Sequence, residues 1–264
     1  MDSATVLVLG NTGHGKSLLG NRLLRLNPYD DTKFHFRTSD NELPETMESE
    51  HFSAVIDGFE LTVIDTPGLF DIEMEVMTRW IGVLKGILLT KKGIDAIIFV
   101  ANSQRLFTAA RCFNRITKCF DGLNMTRVIF VFTYVIDTSA RNLEDNLTDF
   151  NKELTNGAVG VRHIFSDQCA REDVVERNMS DIISYVKDIK RKSVAPINKA
   201  VFVKYTGEYL RHFLQSLPQK NVSLGDLRNS PAIDMLVIEK FIKKEDINKM
   251  INERNRSREG CIAF

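Results

Sequence analysis

Eight consecutive residues, Gly10-Asn11-Thr12-Gly13-His14-Gly15-Lys16-Ser17, have the types and order needed to hold a polyphosphate. The run fits G-x-x-x-x-G-K-[ST], the phosphate-binding loop. Gly10, Gly13 and Gly15 can take positive φ and let main-chain N–H groups converge on phosphate oxygens with no Cβ in the way. A helix beginning at Lys16 adds N–H donors and the positive end of its dipole. The Lys16 ammonium can reach the β- and γ-phosphates, the Ser17 hydroxyl can ligate Mg2+, and Leu18 closes the binding run as the helix turns apolar. A second element, Asp65-Thr66-Pro67-Gly68, lies downstream. Its carboxylate can support Mg2+ through water, and Gly68 can offer its N–H to a terminal phosphate.

The flanking elements must position these groups. Thr5–Leu9 is a short apolar, β-branched run, the pattern of a buried parallel strand, and Leu19, Leu23, Leu24 and Leu26 give the following helix an apolar face. Asn27-Pro28 ends that helix, and 29–50 form a polar, irregular loop of the kind that is usually functional. Strands at 51–56 and 59–64 flank Asp57-Gly58, a strong hairpin signal. Helices are predicted over 72–91, 108–120, 139–155 and 171–191, and strands over 95–102, 126–133 and 161–165. Alternating helices and unbroken apolar strands predict a three-layer α/β fold with a mostly parallel central sheet. Beyond 193 the strand signal stops. Helical patterns at 195–215 and 233–256 suggest an extension. The expected organisation is a nucleotide-binding domain at 1–192, a helical extension at 193–256 and a tail at 257–264.

Composition narrows the remaining classes. With 35 basic and 35 acidic residues in 264, no global field calls for nucleic acid. Cys112, Cys119, Cys169 and Cys261 match no zinc spacing, and Cys112 and Cys119, seven apart on one helix face, read as buried thiols. The N-terminus does not resemble a signal peptide, and the longest apolar runs, such as 96–101 and 128–132, are too short to span a bilayer. A reducing cytosol is the expected setting.

Taken together, Gly10–Ser17, the Asp65–Asp71 run DTPGLFD, and Asp95–Val100 followed by Arg105-Leu106-Phe107-Thr108 resemble the AIG-type GTPases. These avirulence-induced and immunity-associated nucleotide-binding proteins are related to septins and chloroplast import receptors. The resemblance covers about residues 4–190. It implies a P-loop GTPase domain using GTP/GDP and Mg2+. It also implies Thr46, nineteen residues before Asp65, as a second Mg2+ ligand beside Ser17 and Asp65. A dimer or oligomer formed through the nucleotide face is a further expectation.

Two departures from such proteins matter for mechanism. Guanine is normally read by [NT]-K-x-D, but strand 126–133 ends Phe132-Thr133-Tyr134-Val135-Ile136-Asp137. Thr133 is in place, no Lys follows it, and Asp137 comes one residue late. Either Asp137 still reaches the base or another group does; Asp167 in Phe165-Ser166-Asp167-Gln168 is a second candidate. Where Ras-like enzymes orient water with Gln, this chain has Leu69. Slow intrinsic turnover is therefore expected, with Arg105 a candidate arginine finger acting in cis or across a dimer. His14 is a further candidate for the missing Gln, or a tolerated variable position. A nucleotide-gated scaffold with negligible hydrolysis, and an ATP-specific protein, stay open as alternatives.

The chain ends Cys261-Ile262-Ala263-Phe264, a C-a-a-X box whose final Phe favours geranylgeranylation. Seven basic residues against five acidic in 239–259, with Arg254-Asn255-Arg256-Ser257-Arg258 the most basic stretch, suggest reversible attachment to the cytoplasmic face of a membrane.

Overall fold

The computed structural model describes residues 2–25, 35–38, 49–68, 93–118, 125–135, 140–154, 162–165, 172–192 and 243–260, with positions 82, 83, 86, 210, 211, 214, 215 and 223 besides. The chain divides into two compact units, Met1–Asn198 and Lys199–Phe264.

The first unit is built on six strands: β1 (Ser3–Gly10), β2 (Glu50–Ile56), β3 (Phe59–Asp65), β4 (Ala96–Asn102), β5 (Val128–Thr133) and β6 (Arg162–Phe165). They form one sheet in the order β2-β3-β1-β4-β5-β6, with only the β2–β3 pair antiparallel. The hairpin turn is the one its sequence asks for. Asp57 and Gly58 both take positive φ (50° and 76°), as a two-residue I′ turn requires. β2 lies at the sheet edge, and its exposure alternates: His51, Ser53 and Val55 face outward while Phe52 and Ala54 are half-buried. In contrast β1, β4 and β5 are apolar throughout their centres, because helices cover both faces of the sheet.

Those helices are α1 (Lys16–Leu23), α2 (Leu106–Lys118), α3 (Ala140–Glu153) and α4 (Glu172–Arg191). On one face Val6, Val8, Ile98, Val100, Ile129 and Val131 share a core with Leu19 and Leu23 of α1 and with Val175, Met179, Ile182 and Val186 of α4. The other face is aromatic. Phe130 of β5 meets Phe113 of α2 at 4.6 Å and Phe150 of α3 at 4.8 Å, both edge to face, and Phe99 of β4 packs on Phe113 at 5.1 Å. The three layers predicted from the sequence are therefore present, and Cys112 is buried on α2 as expected.

At the end of the sheet where β4 begins, Asp95 locks the strands together. Its Oδ2 accepts from the Thr5 N–H (2.9 Å), its own N–H donates to the Thr5 carbonyl (2.8 Å), and Oδ1 pairs with Lys190 of α4 (2.9 Å). The buried Arg127 donates to the Asp95 carbonyl at 3.2 Å. Burial lowers the Arg127 pKa, and the Asp95 charge partly offsets this.

Several boundaries differ from the pattern-based expectation. Residues 125–127 form a 3₁₀ turn, so β5 starts at Val128 and not at 126. α2 starts at Leu106, led in by a 3₁₀ turn over Ser103–Arg105 whose cap is Asn102, its Oδ1 accepting from Gln104 N–H (2.8 Å). The predicted helix at 72–91 falls outside the described residues except for 82, 83 and 86, which are helical.

In the second unit α5 (Lys244–Gly260) packs Ile247 and Ile251, one turn apart. Of the helix predicted over 233–256, the described part begins at Lys244, after Lys243, whose carbonyl accepts from the Asp246 and Ile247 N–H groups, and 233–242 lie outside the described residues. Arg254 also differs from the expectation. It is only 4% exposed, and its Nε–H donates to the Leu214 carbonyl. It belongs to the packing of this unit, so the basic stretch presents fewer cations than its sequence suggests.

Candidate phosphate and metal site

β1 is the point at which the chain first pairs to one side, with β3, and then to the other, with β4. The crevice beyond the strand ends at such a reversal is where α/β sheets bind ligands. The glycine-rich loop fills it. Gly10 (φ 149°) lies so close to β4 that a Cβ would stand 2.3 Å from the Val100 carbonyl oxygen. Gly13 (φ 72°) and Gly15 (φ 82°) take left-handed backbone. Gly15 caps α1 and brings no side chain into the space before the helix N-terminus, where the dipole favours an anion.

Lys16, 6% exposed, folds back so that Nζ donates to the Asn11 carbonyl at 2.9 Å. The ammonium is thus held over the loop it is expected to serve. Beside it the Ser17 hydroxyl donates to Asp65 Oδ2 at 2.6 Å, with Asp65 only 1% exposed. These residues are 48 apart in sequence. A serine that donates its proton to a carboxylate keeps its oxygen lone pairs for a cation, so the two groups make a compact, hard oxygen-donor set. That set fits Mg2+ bound through one hydroxyl and a nearby carboxylate.

The turn after Asp65 is fixed to the loop by contacts that sequence reading missed. Thr66 Oγ1 donates to the Val8 carbonyl of β1 at 2.6 Å, fully buried. Gly68 lies against Thr12: a Cβ built on it would stand 2.1 Å from Thr12 Oγ1 and 2.5 Å from the Thr12 N and Cα. The requirement for glycine here is closeness of approach. Only the third dimension brings residues 12 and 68 together.

His14 also corrects the expectation. Its imidazole is 1% exposed and sits beneath the loop. Nδ1 lies 3.2 Å from Asn102 N and accepts its hydrogen, with the Val100 carbonyl 3.3 Å away. The His14 carbonyl accepts from Thr133 Oγ1 at 2.9 Å, and its N–H donates to Asn11 O at 3.3 Å. The buried side chain thus joins the loop to the end of β4, and the main-chain carbonyl joins it to the end of β5. Thr133, expected only as the first residue of the base-reading motif, is thereby bonded to the loop, a contact the sequence did not announce.

Arg105, itself exposed, closes the 3₁₀ turn that follows β4, at the same end of the strands as the loop. Ser103 of that turn donates to the Tyr134 carbonyl at 2.7 Å, linking it to the segment after β5. Thr46, Leu69, Asp137, Asp167 and Cys261 lie outside the described residues.

The loop, the Ser17–Asp65 pair and the sheet order are those of a P-loop nucleotide-binding domain, and the family model for the AIG1 family matches residues 4–209. The chain belongs to the AIG1 family. Among relatives of this AIG1 protein in Arabidopsis thaliana is immune-associated nucleotide-binding protein 7, 23% identical over 98% of this chain and 85% of the relative. Immune-associated nucleotide-binding protein 8 is 28% identical over 71% of this chain but only 53% of its own length. Of solved structures, Toc33 from Arabidopsis thaliana in complex with GDP and Mg2+ superposes with a TM-score of 0.57 at 19% identity, covering 75% of this chain and 88% of that one. Era in complex with MgGDPNP and 16S ribosomal RNA gives 0.51 at 15% identity, over 83% and 68%. At these identities the structural likeness establishes the fold: a P-loop GTPase domain.

Proposed function

We propose that this AIG1 protein binds GTP with Mg2+ and hydrolyses it slowly, switching between partners as the terminal phosphate comes and goes. The observation that carries the reading is the Ser17–Asp65 bond of 2.6 Å at the mouth of a loop whose lysine is folded over it. In this reading the loop amides and Lys16 hold the polyphosphate, Ser17 and Thr46 ligate Mg2+, and Asp65 supports it through water. Bound Mg2+ would neutralise charge on the β- and γ-phosphates. Gly68, pressed on Thr12, transmits the presence of the terminal phosphate to the chain that follows it. Toc33 has been solved with GDP and Mg2+ and with Mg2+ and GMPPNP, which supports the choice of ligand.

Turnover is proposed to be slow because Leu69 cannot orient water, and to rise on dimerisation through Arg105. Two solved relatives support a role for dimers. Dimerization is important for the GTPase activity of chloroplast translocon components that include Toc33, and an arginine-to-alanine variant of Toc33 is dimerization deficient. A scaffold that binds GTP without hydrolysing it is the second reading, favoured by Leu69. Single-turnover hydrolysis across a protein-concentration series separates them. A rate that climbs with concentration and is flattened by Arg105→Ala supports the dimer-assisted enzyme, and no hydrolysis at any concentration supports the scaffold. We further propose prenylation of Cys261 and a peripheral position on the cytoplasmic face of a membrane. Flotation of the expressed protein on liposomes, lost in Cys261→Ser, is the expected result.

A further inference from the structure

We propose that the ring of Tyr134 is the platform on which the base of the bound nucleotide stacks, an inference that rests on the nucleotide-binding reading above. The direction of the nucleotide follows from the order of the strands. β3, on one side of β1, ends in Asp65 and leads to Gly68, the groups that serve the metal and the terminal phosphate. The phosphate end therefore points to β3, and the nucleoside runs the other way, across β4 towards β5. Adjacent strands lie about 4.8 Å apart, so the end of β5 is about 10 Å from the end of β1, within the length of a nucleoside.

At that place the backbone is unusual. Tyr134 takes φ 54°, a left-handed conformation that a bulky residue rarely adopts. Its ring is nevertheless turned outward, and the residue is 53% exposed. The conformation is held from both sides. Thr133, just before it, is bonded to the His14 carbonyl of the loop, while the Tyr134 carbonyl accepts from Ser103 Oγ at 2.7 Å and from Gln104 Nε2 at 3.5 Å. A strained backbone fixed by its neighbours and presenting an exposed ring is the pattern of a ligand clamp. Position 134 is also where [NT]-K-x-D places a lysine, and this chain places an aromatic ring. Every base has a π-face, so stacking contributes affinity whatever the base and leaves guanine choice to hydrogen-bonding groups.

Calorimetric titration of the full chain with GDP and Mg2+, and separately with tripolyphosphate, tests this. Tyr134→Ala should weaken GDP about tenfold or more, Tyr134→Phe should keep affinity near that of the parent, and tripolyphosphate binding should be the same in all three. The proposal is overturned if Tyr134→Ala binds GDP as the parent does, or if it loses GDP and tripolyphosphate in equal measure. Should the unaltered protein bind neither ligand, the nucleotide reading itself fails, a result distinct from failure of the stacking role.

Discussion

Replacing Gly68 by alanine should separate the turn after β3 from the phosphate loop, and the size of the effect can be worked from the contact. The added Cβ would lie 2.5 Å from the Thr12 N and Cα and 2.1 Å from its hydroxyl oxygen. The hydroxyl can rotate away, but the main-chain atoms cannot, since Thr12 sits between Gly10 and Gly13, whose backbone is already committed to unusual φ. Relief to ordinary van der Waals contact requires the two segments to part by about 1 Å. Overpacking of this kind costs about 1–3 kcal/mol. For a unit of this size that is a fall of roughly 2–12 °C in Tm. A displacement of about 1 Å in a site that positions a reacting group can also cost about 10²-fold in rate. Differential scanning calorimetry of the nucleotide-free protein and single-turnover GTP hydrolysis read the two effects. The control is Gly58→Ala, where a Cβ meets nothing within 4 Å and only the positive φ is penalised. If Gly68→Ala melts and turns over like the parent, residues 12 and 68 do not touch in solution and the proposed path from terminal phosphate to downstream chain is wrong.

Other perturbations give further expected outcomes. Ser17→Ala removes the donor to a buried carboxylate and should cost about 1–3 kcal/mol in chemical denaturation. It should also abolish the Mg2+ dependence of GDP affinity in titrations with and without EDTA. Asp95→Ala breaks the lock at the end of the strands away from the loop. We expect about 3 kcal/mol of destabilisation, the low end for a buried pair because Lys190 is 40% exposed, with GDP affinity of the folded protein retained. His14→Leu strands the Asn102 N–H and should lower stability by about 1–3 kcal/mol. His14→Asn, which keeps an acceptor near Nδ1, should recover most of that loss; equal melting temperatures for the two variants would show that the imidazole contact is incidental.

The local parts of this protein could be read from its sequence because they depend on neighbours in the chain. Glycines at 10, 13 and 15 can only be a tight loop when a β-branched run precedes them and a helical leucine pattern follows. Asp57-Gly58 can only be a two-residue turn, and the apolar runs of β4 and β5 are intelligible only as strands covered on both faces. Pairings over long separations were not legible in the same way. That Ser17 donates to Asp65 follows from β3 lying beside β1. That Gly68 must be glycine for closeness to Thr12, and that His14 serves the ends of β4 and β5, follow from the same packing. Residue types fix which hydrogen bonds and conformations a position can support. Which partner meets each one is settled only when sheet order and helix packing bring distant segments within a few ångströms, since side-chain contacts fall off over that distance and leave no trace in chain order.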